Sequence, residues 1–133
     1  AYTPDLAASL TNLANILSEV GKQDEALVAA REAVALYRGL AEASPQAYTP
    51  NLAGALTNLA NRLSEVGERN EALVAAREAL EAYRVLAEAS PQAYTPAQAA
   101  SLNNLANHLS EVGESEKALE FKREARQLAD DLP

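Results

Sequence analysis

The phrase Ala-Tyr-Thr-Pro occurs three times in the 133-residue chain, at Ala1–Pro4, Ala47–Pro50 and Ala93–Pro96, with a spacing of 46 residues each time. About three quarters of the first unit recurs identically in the second, while the third keeps the first half closely and drifts in the second half. A period of this length marks a repeated supersecondary unit that cannot bury its apolar face alone and must stack on its neighbours. The units are residues 1–46, 47–92 and 93–133, and together they are expected to form one repeat domain over 1–133. The chain has no initial Met and opens partway through a repeating phrase, so it reads as a piece of something longer.

Each unit divides into two helical stretches. Leu6, Leu10, Leu13, Leu17 and Val20 recur at intervals of four and three, which places them on one face of a helix from about Pro4 to Val20. Thr3 suits the N-cap and Pro4 the first helical position, where a missing N–H costs nothing. Tyr2 is placed to pack back as a staple. Gly21 suits a left-handed C-cap. The second helix begins near Asp24 and carries Ala26, Ala30, Ala33, Tyr37 and Leu40 on one stripe, with Leu27, Val34 and Ala41 beside it. So wide an apolar face serves more than one neighbouring helix. Ser44-Pro45 ends it, because Pro cannot continue a helix and restricts the residue before it. The short turn at Gly21 predicts an antiparallel hairpin. The stripes also resemble the heptads of a long coiled coil, but Gly21, Gly67, Gly113, Pro45 and Pro91 interrupt that alternative at regular intervals.

Composition agrees with an all-α fold. Ala and Leu supply most of the apolar residues and favour helices. No alternating run of β-branched and aromatic residues supports a strand. With no Cys, disulfides and thiolate metal sites are excluded. The formal charge of −8 opposes binding to nucleic acid or to anionic membranes. No signal peptide or membrane-spanning run is visible, and a cytoplasmic location is the expectation.

Chemistry is sparse. His108 is the single histidine, at a position held by Ile16 and Arg62 in the other units, and such variability suggests a tolerant surface site. It lacks partners at the spacing a metal or a catalytic group requires. No catalytic residue, metal or cofactor is expected, and an enzyme is the least favoured class. Two Asn residues recur in each first helix, at Asn12/Asn15, Asn58/Asn61 and Asn104/Asn107. Asn competes with the backbone for hydrogen bonds, so helix stability does not explain them. The Asn12 series is expected to serve inter-repeat structure. In the third unit Glu120 replaces Val28 and Val74, Lys122 replaces Ala30 and Ala76, and Arg126 replaces Val34 and Leu80, which reads as a polar C-terminal cap. The first unit shows no matching adaptation.

Leu13-Ala14-Asn15, Leu17, Gly21, Glu25-Ala26-Leu27 and Ala33, with their counterparts in the next two units, resemble the tetratricopeptide repeat. Ala14, Ala26 and Ala33 match that family's small residues at close helix approaches. The long unit and the phrase Leu102–Ala106 are similar to the kinesin-light-chain type and to long repeats of bacterial multidomain signalling proteins. The usual unit has 34 residues, so a longer pair of helices and a Ser-Pro-Gln-Ala-Tyr connection are expected to hold the excess. The resemblance implies an α-solenoid of three antiparallel hairpins, six helices in all, wound as a right-handed superhelix with the first helices on the concave side.

It also implies a groove that binds a peptide or partner protein. The expected groove residues are Thr11, Asn15, Ser18 and Glu19, then Thr57, Asn61, Ser64 and Glu65, then Asn103, Asn107, Ser110 and Glu111. An Asn amide offers one acceptor and two donors, so a ladder of them can grip an extended backbone. The alternative for the Asn15 series is bonding between neighbouring helices, and for the Glu series plain solubility. The groove carries few cations, Arg62 being the main one at its edge, so a neutral or basic peptide fits better than an acidic one. Two other functions compete. One is a structural element that self-associates through its uncapped front, and the other is an engineered repeat scaffold.

Overall fold

The computed structural model describes residues 3–132, and the staple expected at Tyr2 lies outside them. Six helices follow in order: α1 Thr3–Glu19, α2 Gln23–Ala43, α3 Pro45–Glu65, α4 Arg69–Ala89, α5 Pro91–Glu111 and α6 Ser115–Asp130. Each packs on the next, giving three antiparallel hairpins stacked in line, an all-α solenoid. The backbones of first helices of successive units also come close, at α1 with α3 and α3 with α5, whereas those of second helices stay farther apart among the described residues. The stack therefore carries its first helices on the inner side. No helix among the described residues is long and apolar enough to cross a membrane.

The turn inside each hairpin is a Schellman motif. Gly21 has φ +83°, its N–H donates to Ser18 O at 3.1 Å, and Lys22 N–H donates to Leu17 O at 2.8 Å. Gly67 and Gly113 repeat the geometry at φ +85° and +84°. The Lys22 carbonyl then accepts from Ala26 N–H at 2.9 Å, so the next helix starts at once.

Between units there is no loop. Ser44 alone separates α2 from α3, in a non-helical conformation (φ −146°, ψ 77°) that the following Pro imposes. Its N–H donates to Leu40 O, and its carbonyl accepts from Ala47 and Tyr48 N–H at 3.2 and 3.1 Å. Pro45 occupies the first turn of α3. This corrects the expected Ser-Pro-Gln-Ala-Tyr connection, whose residues after Ser44 are the opening turn of α3. The extra length of the unit lies in its helices, that turn included, α3, α4 and α5 being 21 residues each. Thr49-Pro50, the counterpart of the expected cap at Thr3-Pro4, accordingly falls inside α3, as Thr95-Pro96 falls inside α5. Thr3 itself is a residue of α1.

Alanines close the helix contacts: Ala7, Ala14, Ala26, Ala53, Ala72 and Ala106 are wholly or almost wholly buried. The largest fully buried side chains, Leu56, Leu63, Leu102, Leu105 and Leu109, all belong to α3 and α5. Those helices are covered from both sides, by their own second helix and by that of the preceding unit. α1 packs fully on α2 alone and meets α3 only at its edge, so Leu13 is 45 % exposed where its counterparts Leu59 and Leu105 are 9 % and 1 %. At the far end, Lys122 and Arg126 are exposed where Ala76 and Leu80 are buried, in keeping with a polar outer face. Glu120 does not belong to that argument. Its counterparts Val28 and Val74 are exposed although each is followed by another unit.

Candidate functional site

The inner row of first helices carries the expected groove residues, but many of them are bonded to the neighbouring unit. Ser18 donates to both oxygens of Glu65, at 2.6 and 3.1 Å, and Ser64 donates to Glu111 Oε2 at 2.5 Å. At these two positions the Glu series does more than confer solubility: Glu65 and Glu111 each link units through a carboxylate oxygen. Glu19 and Ser110, the unmatched ends of this rail, are exposed. Asn15 Oδ1 accepts from Arg62 Nη1 at 3.1 Å, and Arg62 Nε donates to Glu65 Oε1. Arg62 thus sits at the joint between units one and two rather than at the edge of an open groove.

Thr11 and Thr57 donate their hydroxyls back to Ala7 O and Ala53 O, at 3.1 and 3.0 Å, i−4 bonds within their own helices. Asn103 and Asn107 are exposed, and Asn61 is half-buried. Neither Asn61 nor Asn107 makes a side-chain hydrogen bond among the described residues.

The Asn12 series departs from expectation. Asn12, Asn58 and Asn104 make no inter-repeat side-chain bond among the described residues. Asn12 and Asn58 instead line an open recess of about 260 Å³ between α1 and α3, with Thr11 and Tyr37 on its walls. A second recess of about 260 Å³ lies between α3 and α5, walled by Asn61, Asn104, Asn107, Glu65 and Glu111. His108 also lines it.

His108 is not the tolerant surface residue that its variability suggested. It is 5 % exposed, against the preceding unit, and its Nδ1 has no hydrogen-bond partner. Glu111 Oε1 lies 3.9 Å away, beyond hydrogen-bond range. Burial holds the imidazole below its ordinary pKa, with Glu111 opposing weakly. Ile16, at the same site in α1, is exposed, with no hairpin packed before it among the described residues. No sequence signal of burial was available at a position occupied by Ile, Arg and His in turn.

On the opposite side, second helices are joined by ion pairs at a constant 40-residue offset: Arg31 with Glu71 at 2.9 Å, Arg38 with Glu78 at 2.5 Å and Arg84 with Glu124 at 3.1 Å. These pairs are largely exposed and each contributes little, about 1 kcal/mol or less. Sequence reading missed them, although the constant offset could have revealed them once helix pairing was assumed. Among the described residues no group of three or more His, Asp or Glu side chains is placed to hold a metal.

Stacked helical hairpins with small residues at their contacts, single-residue joints and an inner row of first helices define a helical-repeat interaction scaffold. Residues 6–44 and 52–91 match the tetratricopeptide repeat, and the chain belongs to that family. No curated protein matches the chain. Tetratricopeptide repeats mediate protein–protein interaction and bind proteins or peptides.

Proposed function

We propose that this chain holds an extended segment of a partner protein along its inner row of first helices, and that it acts by holding rather than by catalysis. The observation that carries the reading is the pair of open polar recesses at successive unit boundaries, walled by Asn side chains that have no bonds of their own. An Asn amide can both donate to and accept from a peptide backbone, so it grips without selecting a side chain. The grip moves from the Asn15 and Ser18 positions, which are occupied by inter-unit bonds, to Asn12, Asn58, Asn61 and Asn107. The formal charge of −8 favours neutral or basic segments. A rigid groove leaves the ordering cost of binding with the ligand.

The test is a peptide-library screen on the intact chain beside the triple variant Asn58→Ala, Asn61→Ala, Asn107→Ala, with helicity matched by circular dichroism. Extended neutral or basic peptides should bind the parent and lose at least about tenfold in affinity with the variant. Hits that ignore the substitutions would remove the Asn residues from the function.

A second reading has one observation in its favour. Leu6, Leu13, Ile16 and Val20 leave an apolar face on α1 open, whereas Leu59, Leu105 and His108 at counterpart positions are buried against a preceding hairpin. Under this reading a second copy of the chain covers α1. Light scattering across a concentration series would show a dimer that Leu13→Glu abolishes; a monomer throughout would end it.

A further inference from the structure

The two inner boundaries of the stack use the same residues with one exchange. At the first, the Arg62 guanidinium is held by Asn15 Oδ1 and Glu65 Oε1, and its side chain is 14 % exposed. Ser18 holds the other Glu65 oxygen at 2.6 Å. At the second, Asn61, Ser64 and Glu111 occupy the three counterpart positions, and Ser64 again holds Glu111 Oε2 at 2.5 Å. In place of the guanidinium stands His108. Its ring is too short to do the same work: Nδ1 is 3.9 Å from Glu111 Oε1 and unpartnered, and nothing among the described residues bonds the Asn61 amide. The space left is the recess of about 260 Å³. The chain thus carries a filled and an unfilled copy of one cation seat, 46 residues apart.

We propose that the unfilled seat receives the guanidinium of an arginine side chain from the peptide lying along the inner row, an assignment that rests on the groove reading above. Asn61 Oδ1 and Glu111 Oε1 are the acceptors, as Asn15 Oδ1 and Glu65 Oε1 are for Arg62. Glu65 also borders the recess, but its charge is already met by Arg62. Glu111 faces only an imidazole, so the seat lacks one positive charge. Two acceptors on different helices suit a planar fork of donors better than the compact ammonium of lysine.

The test is ¹⁵N NMR of the intact chain titrated with methylguanidinium, with methylurea as the neutral control of similar shape. Methylguanidinium should give saturable shifts at the Asn61 and Asn107 side-chain amides and around His108 and Glu111. Methylurea should give none, and the Asn15 amide should stay still. His108→Arg installs the residue that unit two already uses, so it should keep the fold and abolish the response. Equal shifts in His108→Arg, equal shifts with methylurea, or no saturable shift would overturn the assignment. A Gly/Ser peptide with one central arginine should bind at least about tenfold more tightly than its citrulline twin, and equally to it in His108→Arg. Arginine and citrulline peptides binding alike would remove the seat and leave the groove reading intact. Saturation by methylguanidinium without any peptide binding would keep the seat and remove the groove reading.

Discussion

His108 is enclosed by groups that define its titration. Glu111 lies on its own helix, Glu65 borders the same recess from α3, and α4 presents only Ala76 and Ala79. Desolvation is the larger effect and lowers its pKa from 6.5. A histidine with a depressed folded pKa binds fewer protons in the folded chain than in the unfolded one. Its contribution to stability is therefore complete above the unfolded value and is lost as the pH falls from about 6.5 toward the folded value. Urea unfolding between pH 7.5 and about 5.5 should show stability falling with acid, while His108→Gln should be flat over that window. A parallel decline in both proteins would assign the effect to carboxylates instead. The same residue shows why the site was only partly legible. Helical spacing puts Asn15 and Ser18 on one face of α1, but it carries no information on which neighbour 47 residues away each bonds. That register depends on how hairpins stack.

At the scale of the helix, two Ser/Thr-Pro signals five residues apart competed for one start. Both Ser44-Pro45 and Thr49-Pro50 have a capping residue followed by Pro, and each alone reads as a helix N-terminus. Ser44-Pro45 wins because it both ends α2 and opens α3, which lets Tyr48 pack against the core and removes a loop. Pro50 is then inside α3, unable to donate to Gln46 O. The hairpins and Gly turns were plain from apolar spacing; the start was not, since local rules favoured both sites. Pro50→Ala should therefore stabilise the chain by about 1 to 3 kcal/mol, read as a higher urea midpoint at unchanged m-value. Had the helix begun at Pro50, the same change would be neutral or harmful.

Across the whole stack, polar ties are divided unevenly among boundaries. The joint between units one and two has Arg31–Glu71, Arg38–Glu78, Asn15–Arg62 and Ser18–Glu65. The next joint keeps Arg84–Glu124 and Ser64–Glu111, but Lys117 stands where a Glu would face Arg77, and His108 replaces the guanidinium. Apolar burial is nearly the same at both joints, Leu56, Leu59 and Leu63 being almost as closed as Leu102, Leu105 and Leu109. Polar ties that are half exposed contribute little, whereas a buried Leu is worth about 2 kcal/mol or more, so the two joints are of similar strength although the second has fewer bonds. In a quasi-one-dimensional stack each element depends on its immediate neighbours. Helices packed between two neighbours, α2, α3, α4 and α5, should open last; α1, packed fully on α2 alone, and the polar end of α6 should open first. Native-state hydrogen exchange on the 133-residue chain should show this gradient, with the slowest amides around Leu56–Leu63 and Leu102–Leu109 and α1 exchanging at least about tenfold faster. One uniform protection factor along all six helices would mean that the joints transmit unfolding without loss, and that burial at α5 stabilises α1 as strongly as it stabilises its own neighbours.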